Sequence, residues 1–240
     1  MYKSLIPNIL TSANLVLGFC SILSTYNANY TWSTLFILLA LVADGLDGRA
    51  ARFFGVSSEI GKEMDSLCDL VSFGVAPAFL AYSYCLKDYD YFGWAVAIVF
   101  ALCGAWRLAR FNVNVTVVHG FFMGLAIPAG GCLIATAIWF FRSIGMGTAV
   151  LEPAFPLVMI VISYLMISGV HYPDFKGKGE KVFLASKIFA VLLFAAILFL
   201  GREAILSAVL FAVFSTYSVF GLFNFSLTLL FGNRALFVTK

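Results

Sequence analysis

Charge is scarce in this 240-residue chain: Asp, Glu, Lys and Arg together make up 11% of it, against about 25% in an ordinary soluble domain. With 62% hydrophobic residues, a water-soluble globule of this size could not cover its own surface. Histidine is nearly absent too, with two copies, and the five cysteines (Cys20, Cys68, Cys85, Cys103 and Cys132) show no CxxC spacing. Those absences remove a zinc site and a disulfide framework, and the cysteines read as packing residues. His119 and His171 stand alone and read as ordinary loop residues. Low-complexity linkers and internal repeats are also missing, so residues 1–240 read as a single membrane domain. A net charge of +3 provides no basic face, which excludes nucleic acid as a partner.

What the chain has in abundance is apolar runs. Eight can be traced, at residues 6–25, 32–53, 64–85, 92–112, 125–144, 155–170, 183–200 and 204–227. A transmembrane helix needs about 20 predominantly apolar residues. Short breaks with turn residues separate the runs, among them Asn27, Asn29, Asp88, Pro153 and Gly177. The expectation is an all-α integral membrane protein of about eight transmembrane helices. Pro7, Asn8, Thr11, Ser12 and Asn14 interrupt the first run, which reads as the first helix and not as a cleaved signal peptide.

Lys and Arg set the predicted orientation. With a cytoplasmic N-terminus and eight spans, Lys3, Arg49, Arg52, Lys62, Arg107, Arg110, Lys176, Lys178, Lys181, Lys187, Arg234 and Lys240 fall on the inner side. Only Lys87, Arg142 and Arg202 fall outside. Both termini are therefore expected in the cytoplasm.

Four carboxylates break the apolar pattern. Asp44 and Asp47 are three residues apart, and Asp65 and Asp69 four apart, so each pair shares one helix face. The connection between them, residues 53–62, is short enough to make the two helices antiparallel neighbours. All four acids can then converge near the cytoplasmic boundary. Ionised carboxylates at membrane depth face a polar cavity and need neutralising. Like charges this close repel by several kcal/mol in a poorly screened site. A divalent cation, or two, makes the arrangement stable, and oxygen-only ligands select hard ions such as Mg²⁺ or Mn²⁺. Gly45 and Gly48 each cost a helix about 1 kcal/mol against Ala, but leave space beside the acids. Arg49 and Arg52 bring positive charge suited to phosphate. Such a set equips a site for phosphoryl transfer, where positioning and charge stabilisation supply most of the catalysis. The bland alternative, four acids that merely end two helices and pair with Arg49, Arg52 and Lys62, does not account for the spacing.

The arrangement Asp44-x2-Asp47-Gly48-x2-Ala51-Arg52-x8-Gly61-x3-Asp65-x3-Asp69 fixes eight positions in 26 residues. It resembles the signature of the CDP-alcohol phosphotransferases, integral membrane enzymes that move a phosphatidyl-type group from a CDP-linked lipid to an alcohol and release CMP. The expected architecture is a six-helix catalytic core (residues 1–178) with two further helices in 179–240, whose near lack of polar groups beyond Ser, Thr and Asn points to packing or lipid contact. The resemblance implies that Asp44, Asp47 and Asp65 bind two divalent cations, and that Asp69 also touches a metal and acts as the general base. Asn8, Thr11, Gly48 and Arg52, with Asp44, are implied to hold the CDP-lipid. A homodimer is implied as well.

Further stretches narrow the branch: Leu5 to Asn14, Ser72 to Phe79, Arg107 to Val113, Gly124 to Ala129 and Tyr172 to Lys176. Together they are similar to the serine-using branch, which implies CDP-diacylglycerol and L-serine as substrates; the short loops fit a bacterial or archaeal cell membrane. Ala126, where Pro is expected, and Trp106 depart from that pattern. Arg107 and Arg110 share one face and are candidates to grip the acceptor's carboxylate or lipid phosphates, along with Asn112, Tyr172 and Lys176. The residues alone also leave room for a phosphorylated acceptor (glycerol phosphate or inositol phosphate) and for an archaeal ether-lipid donor. A divalent-cation transporter is a rival of another class, but it would spread its acids over several helices near the bilayer midplane.

Overall fold

A computed structural model describes residues 5–56, 58–114, 121–146, 153–173 and 183–231. Each of the eight apolar stretches contains a helix. Helix α1 (Leu5–Tyr26) runs into α2 (Tyr30–Phe54) through a short turn. Small hydroxyls hold this pair together, Ser33 Oγ lying 2.8 Å from Ser21 Oγ and 2.7 Å from Thr25 Oγ1. Interhelical polar contacts of this kind serve where lipid removes the hydrophobic drive between helices. Gly55 closes α2 in the left-handed conformation at φ 63°, and its amide and that of Val56 donate to the carbonyls of Arg52 and Ala51. Ser58 then starts α3 (Glu59–Asp69), its Oγ accepting from the Gly61 amide at 3.0 Å. This tight reversal turns the chain back from α2 into α3, and both helices pack on α1 more than on each other.

The helix does not stop at Asp69. It widens into a π-type turn at Leu70–Val75, continues as α4 (Ala76–Ala81) and widens again at Tyr82–Leu86. Pro77 sits in the first turn of α4. Its ring would clash with the carbonyl four residues back in a regular helix, and the wide turn relieves that conflict. Two other helices press on this segment. A Cβ at Gly18 of α1 would strike Ser72, and one at Gly131 would strike the backbone of Phe73.

The remaining helices are α5 (Asp90–Asn114), α6 (Ile127–Ser143), α7 (Phe155–Ile167), α8 (Leu184–Leu200) and α9 (Ile205–Phe231). The core is built where α2, α4, α5, α6 and α7 meet, around Ile37, Phe73, Leu80, Phe100, Ile134 and Met159. A second cluster, Phe140 with Ile197, Ala208 and Ala212, joins the far ends of α6, α8 and α9. Exposed Phe19, Leu102, Leu192 and Phe199 mark outward faces suited to hydrocarbon.

Two features depart from the all-α expectation of eight spans. A two-stranded antiparallel sheet pairs β1 (Phe121–Met123) with β2 (His171–Pro173), with Phe122 opposite Tyr172. Among the described residues, three stretches are long and apolar enough to cross a membrane by themselves: Ile6–Tyr26, Glu59–Val113 and Ile205–Leu230. At 1.5 Å per residue, the 13 residues of α7 reach about 20 Å, short of a bilayer core about 30 Å thick. The predicted termini and the boundary at residue 178 lie partly or wholly outside the described residues.

Close backbone approach makes Gly131 a sensitive position. Gly131→Leu is expected to destabilise the fold by about 1–3 kcal/mol, read as a lower thermal unfolding midpoint in detergent. Gly45→Ala, where an added Cβ meets nothing within 4 Å, is expected to leave that midpoint unchanged or raised.

Candidate active site

The reversal between α2 and α3 places Asp47 two turns before the end of one helix and Asp65 two turns into the next. Asp44, one turn further along α2, completes the group. One carboxylate oxygen from each of Asp44, Asp47 and Asp65 lies within 4.8 Å of the other two. The charges acting on Asp65 are those of Asp47 and Asp44, so the group is repulsive within itself. Asp65 Oδ1 is buried with no hydrogen-bond partner. An unsatisfied buried carboxylate oxygen facing two further carboxylates fits a hard divalent cation, which would offset their mutual repulsion. The acidic group can therefore hold such an ion.

Asp69 stays within electrostatic reach of the other three acids but outside their tightest group. It lies one helical turn deeper than Asp65, at about 6 Å of axial rise, and is not part of the tight group. A different partner holds it: Asn14 Nδ2 donates to Asp69 Oδ1 at 2.9 Å. Both side chains are buried, Asn14 completely and Asp69 at 8% exposure. Ser72, in the π-type turn, donates to the Asn14 carbonyl at 2.9 Å and fixes the α1 end of this link. On the same helix Thr11 Oγ1 donates to Asp47 Oδ2 at 2.7 Å. Helix α1 thus orients one carboxylate on each acid helix.

The other expected site residues separate into those near the acids and those used elsewhere. The Arg52 guanidinium folds back over Gly48, with its terminal nitrogens 3.6 and 3.9 Å from where a Cβ would stand. Asn8 is exposed one turn before Thr11. Arg107 is 8% exposed, its Nε has no hydrogen-bond partner among the described residues, and it lies within electrostatic reach of Asp69. Its guanidinium also sits 5.6 Å from the Phe111 ring. Arg110, by contrast, is engaged by backbone. It donates to the carbonyls of Ile167 at 2.8 Å, Ser168 at 3.2 Å, Met123 at 3.3 Å and Met166 at 3.4 Å. The carbonyls of Met166, Ile167 and Ser168 are orphans at the α7 C-terminus, where a cation is favoured, and that of Met123 belongs to β1, so Arg110 fastens β1 to α7. Asn112 bridges to α3 through Ser66 at 3.0 Å and Glu63. Tyr172 is fully buried, its hydroxyl donating to the Ser218 carbonyl at 3.2 Å, and burial pushes its phenol up from the ordinary tyrosine range. Lys176 lies outside the described residues.

Asn14 is the site residue the sequence left without a role. It was visible as a polar side chain in an apolar run at the i+3 position from Thr11, but its partner is 55 residues away.

Residues 4–166 match the model of the CDP-alcohol phosphatidyltransferase family. The chain belongs to that family, and it is an integral membrane enzyme. Among its relatives is a CDP-diacylglycerol–serine O-phosphatidyltransferase of Helicobacter pylori, 34% identical, with 79% of this chain and 81% of the relative covered. One of the same name from Bacillus subtilis is 36% identical, covering 71% of this chain and 91% of the relative. An archaetidylserine synthase of Methanothermobacter thermautotrophicus is 39% identical over 72% of each chain.

Proposed function

We propose that this enzyme transfers the phosphatidyl group of CDP-diacylglycerol to the hydroxyl of L-serine, giving phosphatidylserine and CMP at the cytoplasmic face of a bacterial or archaeal membrane. The observation that carries the reading is the division of four acids into a tight triad, Asp44, Asp47 and Asp65, and a separately held Asp69. The similarity to proteins named for that reaction supports it.

Asp44, Asp47 and Asp65 would hold two divalent cations, Mg²⁺ or Mn²⁺, which when bound supply positive charge for the pyrophosphate and the departing CMP. Thr11 keeps the Asp47 carboxylate turned toward the triad. Asp69 takes the proton of the serine hydroxyl. Asn14 occupies Asp69 Oδ1, which leaves Oδ2 to receive that proton. The serine oxygen then attacks the lipid-bearing phosphorus, and the bond from that phosphorus to the CMP oxygen breaks. Gly48 and Arg52 lie where the nucleotide phosphates would be gripped, Arg52 offering a planar fork suited to phosphate oxygens. Arg107, buried beside Asp69 with an unpaired Nε, is the proposed contact for the serine carboxylate. Arg110, Asn112 and Tyr172 shape the wall behind it. The working unit is proposed to be a homodimer.

Release of CMP by the purified protein, followed in parallel with serine, glycerol phosphate and inositol phosphate, tests the acceptor. Serine is expected to support turnover at least about 10²-fold faster than either alternative. Equal or faster release with a phosphorylated acceptor would overturn the assignment. The second reading, an archaeal ether-lipid donor, is favoured by the relative named for archaetidylserine. It changes the tails and leaves the chemistry at phosphorus untouched.

A further inference from the structure

The family match ends at residue 166, before α8 and α9 begin. These two helices nevertheless form half of a cavity of about 900 Å³, whose other wall is Leu41 of α2 and Ala126, Pro128 and Ala129 at the start of α6. From α8 come Lys187, Ala190 and Phe194, and from α9 Val213, Thr216 and Phe220. Both sets are spaced i, i+3, i+7, so each is one continuous face. The cavity has two unlike ends. Lys187 stands in the first turn of α8 and is exposed. The antiparallel helix is fixed there because Asn224 Oδ1 accepts from Ser186 Oγ at 3.2 Å and from the Phe183 amide at 3.1 Å. Phe194 lies seven residues further on, about 10 Å along the axis. Beyond it Phe140 stacks on Phe211, with rings 5.0 Å apart, and packs with Ile197 and Ala208, so the cavity runs into an apolar cluster at that end.

A positive charge at one end and a partly open apolar bore at the other match an anionic lipid, headgroup at the mouth and chain along the bore. The catalytic acids lie beside it. Leu41 is three residues from Asp44 on the same helix face, and Ala129 is three residues from Cys132, which lies within electrostatic reach of Asp44 and Asp69. We propose that this cavity binds one hydrocarbon chain of the nucleotide-activated lipid donor, and that α8 and α9 exist in this chain to wall that slot. The inference rests on the proposed donor chemistry, and the experiment is chosen to separate the two.

Val213→Trp fills the deep end of the bore while leaving the mouth open. With the purified full-length protein and saturating serine, donors carrying eight-carbon and sixteen-carbon chains are compared by CMP release. The variant is expected to raise KM for the long-chain donor by about tenfold, since each displaced methylene forfeits transfer free energy, and to change KM for the short-chain donor by less than about twofold. Equal changes for both donors would overturn the slot. A donor analogue with a photoreactive group at the chain terminus gives a reading independent of turnover and of the variant's folding. In the wild-type protein, cross-links are expected in residues 190–220. Cross-links confined to other helices, or displacement of the label by phosphatidylglycerol but not by unlabelled donor, would also overturn it. Labelling in 190–220 by a protein that releases no CMP with serine would sustain the slot and sink the proposed reaction instead.

Discussion

Asp69→Asn is expected to lower phosphatidylserine formation by about 10²–10⁴-fold, the range by which a positioned acid or base contributes. The substitution keeps the shape of the side chain. Its carbonyl oxygen can still accept from Asn14 Nδ2, the contact that holds Asp69 at 2.9 Å. What disappears is the oxygen able to take a proton from the attacking hydroxyl. Binding of the CDP-lipid, measured at equilibrium without serine, is expected to stay within about threefold of wild type. Mass-spectrometric quantification of phosphatidylserine provides the turnover. Activity within about tenfold of wild type in this variant would remove Asp69 from the chemistry and return the proton to solvent or to another carboxylate.

An effect of comparable size is expected at Asp65, and it divides into two parts with opposite signs. In Asp65→Asn, CMP release should fall by at least about 10³-fold, because positioned charge at phosphorus is the largest single contribution to such reactions. Stability should move the other way when metal is absent. Two unit charges 4 Å apart repel by about 4 kcal/mol at an effective dielectric of 20, and the oxygens of Asp44, Asp47 and Asp65 lie within 4.8 Å of one another. Removing one charge relieves part of that repulsion. In EDTA, the variant is therefore expected to unfold at a higher temperature than wild type. Added Mg²⁺ or Mn²⁺ should raise the wild-type midpoint by mass action on the folded state, and should raise the variant's much less. A triad with no affinity for cations would show neither the ion-dependent rise nor the reversal of order. Wild-type turnover that persists undiminished in EDTA would have the same meaning.

Much of this site could be read from spacing alone. Helical periodicity puts Asp44 with Asp47 and Asp65 with Asp69, and a connection as short as residues 53–62 leaves antiparallel packing as the natural outcome. Those two facts predict the triad, yet α2 and α3 pack on α1 more than on each other, so α1 carries both acid helices. Spacing could not reveal that Asp69 is set apart from it, because that depends on Asn14 arriving from α1, and on Ser72 holding Asn14 in place. Contacts across 55 and 58 residues leave no local trace. Arg110 shows the reverse failure. Its position three residues from Arg107 suggested a shared task, yet three backbone carbonyls at the α7 end and one in β1 claim it, and only the three-dimensional path of residues 123 and 166–168 makes them available. The strand pair was hidden for another reason. Each strand is three residues long and is held by its partner 50 positions away, Phe122 by Tyr172, too short for alternation to register. The last two helices read from their composition as serving packing or lipid contact. Lipid contact holds for much of α8, whose buried residues are Ser186 and Ile197, but α9 also receives the Tyr172 hydroxyl at Ser218.

The π-type turn at Leu70–Val75 has a geometric consequence for how the upper and lower halves of one long helix are phased. A regular helix advances about 100° per residue, so the additional residue in a widened turn rotates everything beyond it by about that angle. Asp65 and Asp69 can then look inward toward α1 and α2 while Leu80 and Ala81, further along the same rod, look inward toward the apolar core. A shortened segment running as uniform α-helix could satisfy one of those alignments and would swing the other out into lipid. Polar chemistry and hydrophobic anchoring are thereby served by a single element, each with its own azimuth.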